Sequence, residues 1–186
     1  MLPHLIIIFG PSGSGKNTVS DYLRCKYNIP LVITHTTRSP RYYEKNGEDY
    51  YFENNDSMDK LRLIEKVKYN GYQYGSSMEG IERASKINKK LVQIILDSQG
   101  AITYLKKFSI TDLTFIFITT SDKKNLIKRM IKRGDSPLMI YNRINSVEFN
   151  RDLILPKVLK QYTNIIFNDN LQKTKNLIDK IILNIF

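Results

Sequence analysis

A single cysteine, Cys25, stands among 186 residues, so no internal disulfide can form and a reducing compartment is the natural setting. It falls within a helical stretch and reads as packing rather than chemistry. Histidine is nearly as scarce. His4 and His35 have no Cys or His partners at ligand spacing, which leaves a structural zinc site unsupported. No apolar run is long enough to span a bilayer, and the start of the chain shows no signal-peptide cleavage pattern; a soluble cytoplasmic protein without a membrane partner is expected. Fixed-period repeats and low-complexity linkers are missing too, and the length suits one domain with room for an inserted lobe. Acidic residues are outnumbered, 18 against 29 Lys and Arg, for a net charge of +11. That balance suits an anionic ligand. The basic residues are dispersed, however, and never run five together, so nucleic acid is not the expected partner.

What is present begins at Leu5–Thr18, LIIIFGPSGSGKNT. An apolar run, Leu5–Phe9, stops at Gly10, a glycine-rich turn follows, and an amphipathic stretch continues to Tyr27. Strand, loop and helix in that order fit the phosphate-binding pattern G-x-x-x-x-G-K, in which backbone N–H groups curl round an anion at a helix N-terminus. Gly10, Pro11, Ser12, Gly13, Ser14, Gly15, Lys16, Asn17 and Thr18 form this candidate triphosphate cradle, with Lys16 as a mobile point charge on the terminal phosphates. Asn17 stands where the strict pattern has Ser or Thr to ligate Mg²⁺. Its amide oxygen, or the Thr18 hydroxyl one place later, can face a hard cation directly or through water.

An alternation of apolar runs and helical periods follows. Leu31–His35 reads as a strand, Leu91–Leu96 and Leu113–Thr119 as buried strands, and Asn164–Phe167 as the last one. Helices are expected from Ile81, through Tyr104 to Phe108, over Leu126–Arg133, from Pro137 behind an Asp135-Ser136 cap, and over Leu171–Phe186. The stretch from Thr36 to Tyr74 differs. It is dense in Tyr, Arg, Asn and Glu, with turns at Asn46-Gly47 and Asn70-Gly71, short strands at Tyr50–Phe52 and Val67–Tyr69, and a helical period over Ser57–Glu65. The expected fold is α/β: a P-loop NTPase-type parallel sheet flanked by helices, with a small mixed α+β lobe and a helical lid.

Within Thr34–Phe52, THTTRSPRYYEKNGEDYYF, Arg38 and Arg41 sit three apart amid tyrosines, two guanidinium forks suited to a phosphate dianion. Taken with NGYQYGSS, DSQGA, KRMIKRGDS and FND, in this order and spacing, GPSGSGKNT and HTTRSPRYYEKNGEDYYF resemble the guanylate kinase family, over essentially the whole chain. The resemblance implies a core of residues 1–33 and 88–186, a GMP-binding lobe of 34–87 and a lid near 133–146. It implies that Arg38, Arg41, Tyr50 and Tyr74 hold the GMP phosphate, that Thr34, Glu65 and Ser76 read guanine, and that Arg129 and Asn168 lie by ATP. Lys16, Arg38, Arg133 and Arg143 would carry catalysis. The family has two acids, D-x-D, before its x-Q-G. Without a gap, Asp97 is the second and Ile95 replaces the first; a shifted alignment makes Asp97 the first. Asp97 is thus a candidate for GMP or metal contact, beside Asn17 and Thr18.

The implied reaction is reversible transfer of the γ-phosphoryl group of ATP to GMP, or dGMP, with Mg²⁺. The acceptor oxygen is already anionic, so no general base is required, and no Ser-His-Asp or Cys-His set is evident. Two alternatives remain beside it: a kinase of the same fold for another phosphorylated acceptor, and a non-catalytic guanylate-kinase-like interaction module.

Overall fold

Strand β1, His4–Phe9, is the axis of the molecule, and its buried residues divide by parity. Leu5, Ile7 and Phe9 enter one apolar cluster, while Ile6 and Ile8 enter another on the opposite face. That is the period of a strand covered on both sides, and it explains why the run has no polar alternation. A computed structural model describes residues 2–69 and 71–185. The main sheet is parallel, in the order β6 (Leu91–Ile95), β1, β7 (Leu113–Thr119), β8 (Thr163–Phe167). Helices α3 (Met78–Ser85) and α4 (Ser98–Lys107) cover one face with Ile81, Ala84, Ala101 and Tyr104. On the other face lie α1 (Lys16–Tyr27) and α8 (Leu171–Leu183), through Val19, Leu23, Ile178 and Ile182.

A second, mixed sheet has the order β3 (Tyr51–Phe52), β2 (His35–Thr36), β5 (Tyr72–Ser77), β4 (Leu63–Tyr69), with α2 (Asn55–Lys60) between β3 and β4. A third cluster, Leu126, Met130, Ile140 and Phe149, joins α5 (Lys123–Lys132), α6 (Pro137–Ile144) and α7 (Val147–Asp152). Ser136 caps α6 ahead of Pro137 as expected, its hydroxyl accepting from the Met139 N–H. Among the described residues no helix is long and apolar enough to cross a membrane.

Two expectations are corrected. The helical period over Ser57–Glu65 is divided: α2 stops at Lys60, Leu61 is extended, and Leu63–Tyr69 is strand. Asn54 and Ser57 close a capping box that starts α2 early, and Ile64 and Val67 suit the long pairing with β5. Met58 and Ile64 are both buried, but from two elements. The strand expected over Leu31–His35 is likewise shared between sheets. Leu31 bridges Gln93 beside β6, while only His35 and Thr36 pair in the second sheet. Elsewhere ends shift by a few residues: α3 starts at Met78 behind a Ser77 cap, and Lys123 begins α5 behind Asp122. Asn70 of the Asn70-Gly71 turn, and Phe186 at the end of the expected last helix, lie outside the described residues.

Candidate active site

The loop between β1 and α1 is set by steric demands at its glycines. At Gly10, φ is +135° and an added Cβ would lie 2.1 Å from the Ile118 carbonyl oxygen; Gly15, at φ +98°, is the N-cap of α1. Lys16 Nζ donates to the carbonyls of Gly10 (2.7 Å) and Pro11 (2.9 Å), folding the side chain back over the loop. Burial lowers its pKa to about 8; Asp152 opposes the shift, and Arg133 and Arg143 add to it. From behind, the Ser14 carbonyl accepts from Arg129 (3.0 Å) and from the Asn168 amide (2.8 Å), and Asn168 is held in turn by Thr174. Arg129 also donates to the Asn168 carbonyl.

In front of the loop opens a cavity of about 470 Å³ between the two sheets. It is lined by Lys16, Asn17 and Thr18, by Glu65 and Tyr74 of the second sheet with Thr34, Arg38, Arg41 and Tyr50 from the segments flanking its strands, and by Asp97, Arg129, Arg133 and Arg143. Residues expected at two separate pockets thus share one wall system. Pro11, Ser14, Ser76 and Asn168 do not line it. Pro11, Ser14 and Asn168 shape the loop, while Ser76 sits opposite Glu65 in the β4–β5 register, with its hydroxyl on Tyr104 (2.8 Å).

Arg38 and Arg41 converge on Glu44, each at 2.8 Å. Burial works against the Glu44 charge, yet the two guanidinium groups hold its carboxyl below the usual range. The Arg38 guanidinium lies over the Tyr50 ring at 5.4 Å, and Tyr50 meets Tyr74 edge-on at 6.1 Å. Glu65 is 5% exposed, and its Oε2 has no hydrogen-bond partner. Burial raises its pKa to about 7. Asp97 caps α4, accepting from the Gly100 N–H at 2.7 Å, and pairs with Arg151. Arg151 also holds buried Asp152 at 3.0 Å. Arg143 reaches the loop, donating to Ser12 Oγ at 3.1 Å, whereas Arg133 is turned onto Asp135.

Seven basic side chains (Lys16, Arg38, Arg41, Arg129, Lys132, Arg133, Arg143) face three acids (Glu65, Asp97, Asp152) around the cavity. Among the described residues seven buried side-chain polar atoms are unpartnered, and those of Arg41, Glu65, Tyr69 and Arg143 belong to lining residues. Orphaned buried donors and acceptors cost stability, so their gathering in one cation-rich cavity marks a polar, anionic ligand.

A family model described as guanylate kinase matches residues 3–184. The chain belongs to the guanylate kinase family. A guanylate kinase of Clostridium perfringens (strain 13) is 32% identical over 96% of this chain and 82% of its own length. One of Bacillus subtilis (strain 168) is 29% identical, covering 96% of this chain and 87% of that protein. In fold, the crystal structure of guanylate kinase from Anaplasma phagocytophilum superposes with a TM-score of 0.68 at 21% identity, over 98% of this chain and 86% of that one. The protein is a nucleoside monophosphate kinase.

Sequence reading missed several lining residues. Val67 and Tyr69 lie in an expected strand without a site motif of their own, and Lys132 is one of several lysines on α5. Asp152 carries no local signal, because its place depends on contacts distant in sequence: it accepts from the Ser98 N–H at 3.3 Å. Glu44, which does not line the cavity but pairs with two arginines that do, has a local signal: an acid three and six residues from them.

Proposed function

We propose that the protein transfers the γ-phosphoryl group of ATP to GMP or dGMP, yielding ADP and GDP or dGDP. The observation that carries this reading is the buried, unpartnered Glu65 oxygen in the wall of a cavity that continues to the phosphate loop. Guanine presents N1–H and a 2-amino group as adjacent donors, which one carboxylate accepts together. Adenine lacks that pair and would leave Glu65 buried and unsatisfied. Thr34 lines the cavity beside the same base, and Ser76 backs Glu65 from the paired strand. Arg38, Arg41, Tyr50 and Tyr74 grip the acceptor phosphate, with Glu44 holding both forks at one spacing. This assigns residues 34–87 to an acceptor lobe and about 133–146 to a lid, on a core of the remaining chain.

On the donor side, the loop amides and Lys16 bind the triphosphate, braced by Arg129 and Asn168. Catalysis rests on holding acceptor and donor oxygens in line while Lys16, Arg38, Arg133 and Arg143 neutralise the transferring group. The acceptor phosphate is already anionic, so no side chain has to remove a proton. Asn17 and Thr18 suit a Mg²⁺ ion held mainly by phosphates, since both line the cavity and neither side chain has a hydrogen-bond partner among the described residues. Bound there, the ion supplies charge screening. Both Asp97 oxygens are engaged, by Gly100 and Arg151, so Asp97 acts through water or on the acceptor.

A panel of acceptors with ATP and Mg²⁺ or Mn²⁺, followed for ADP, tests the reading. ADP is expected with GMP and dGMP, and about a hundredfold less or lower with AMP or a sugar phosphate. Equal turnover of AMP, or of a sugar phosphate, would overturn it.

A further inference from the structure

Strand β4 carries a group that this chemistry leaves unused. Its side chains alternate: Glu65, Val67 and Tyr69 line the cavity, while Lys66 and Lys68 are exposed on the other face. At about 3.3 Å per residue, Glu65 and Tyr69 stand roughly 13 Å apart along the wall. Glu65 marks the base end. Tyr69 lies beside Tyr74, edge-on at 6.5 Å, and therefore at the end where Tyr50, Tyr74 and Arg38 gather.

The Tyr69 hydroxyl is buried and has no hydrogen-bond partner. It lies beside Ser12 of the phosphate loop, outside hydrogen-bond geometry, and Ser12 Oγ accepts from Arg143 at 3.1 Å. Arg143 Nε is itself buried and unpartnered. Two orphaned donors, one from the lobe and one from α6, thus meet over the loop that cradles phosphate. Burial, with Asp152 adding to it, lifts the phenol to about 12, so it stays a donor throughout the neutral range. A tyrosine that only packed there would gain nothing from its hydroxyl, and phenylalanine would fill the same space.

We propose that the Tyr69 hydroxyl donates a hydrogen bond to the phosphoryl group in transfer, making Tyr69 a catalytic residue supplied by the second sheet. The proposal rests on the ATP-to-GMP reading above. The phenol forms no covalent bond and keeps its proton; it adds a neutral donor where negative charge is redistributed between two anions. Glu65, four residues away, fixes the base, so the strand sets the distance between base recognition and this donor.

Tyr69→Phe removes the hydroxyl alone. The free variant should melt at the wild-type temperature or slightly above it, since an orphaned donor has gone. Its kcat should fall about 10- to 100-fold, with KM for GMP and for ATP within about twofold of wild type. Affinity for ADP, GMP and aluminium fluoride together, a mimic of the phosphoryl group in flight, should weaken by the same factor. Calorimetric affinity for GMP alone, and for an unhydrolysable ATP mimic alone, should not move. An unchanged kcat in an active wild-type background, or a loss confined to KM for GMP, would overturn the Tyr69 assignment and leave the kinase reading standing. A wild type that makes no GDP from ATP and GMP would overturn both.

Discussion

In the proposed reading, in which it accepts from guanine, Glu65 couples recognition to pH. Its carboxyl is raised from 4.5 to about 7 by burial, with Asp97 pushing the same way and Lys107 opposing. Accepting two N–H groups of guanine requires the ionised form, so GMP binding must expel a proton below pH 7. Affinity for GMP should therefore drop toward tenfold per pH unit below about 7, and Glu65→Gln should flatten that slope while weakening GMP-over-AMP discrimination about 10- to 100-fold. Calorimetry between pH 5.5 and 8 checks both. The sign for stability is opposite to that of an ion-paired acid. The folded state binds more protons than the unfolded between 4.5 and about 7, so stability present below 4.5 is lost as pH rises to about 7. Melting temperatures of wild type and Glu65→Gln across that window should converge at the acid end if desolvation is the cause. At the same scale, Lys16→Ala should keep the fold and lower turnover by at least about 10²- to 10³-fold, read by an ADP-coupled assay and circular dichroism.

At the scale of elements, the phosphate loop and β4 make opposite lessons. The loop was legible because its constraint is local: a buried strand, three glycines and a lysine at fixed spacing leave few other conformations. Gly10→Ala should test that constraint. A positive φ and a Cβ 2.1 Å from a backbone oxygen together predict a loss on the order of 3–5 kcal/mol, about 10 °C in melting temperature. Gly71→Ala, at φ +83° but with nothing within 4 Å, should cost only about 1–2 kcal/mol. Differential scanning calorimetry of the pair separates crowding from strain. By contrast, β4 was misread because Met58, Leu61 and Ile64 imitate a helical face across an element boundary. The boundary is decided by the Asn54 cap before it and the pairing of Glu65 with Ser76 after it. Tyr69 falls in the expected Val67–Tyr69 strand, but which face of that strand meets the cavity depends on the pairing with β5. Asp152 has no local signal because its place in the cavity wall depends on Arg151, which also pairs with Asp97, 54 residues before that arginine.

For the molecule as a whole, a parallel sheet and a small mixed sheet face one cavity, which gathers part of the positive charge. The Lys/Arg surplus is spread along the sequence, yet seven basic side chains meet around a single volume. In the proposed reaction this volume holds a donor and an acceptor phosphate together, with water excluded from the transfer. Phosphorus NMR of the protein mixed with ATP, GMP and Mg²⁺ tests that claim most directly. The β-phosphate resonances of GDP and ADP should grow in equal amounts while the γ-resonance of ATP disappears. Release of inorganic phosphate with GMP left intact, or an unchanged ATP spectrum, would contradict it.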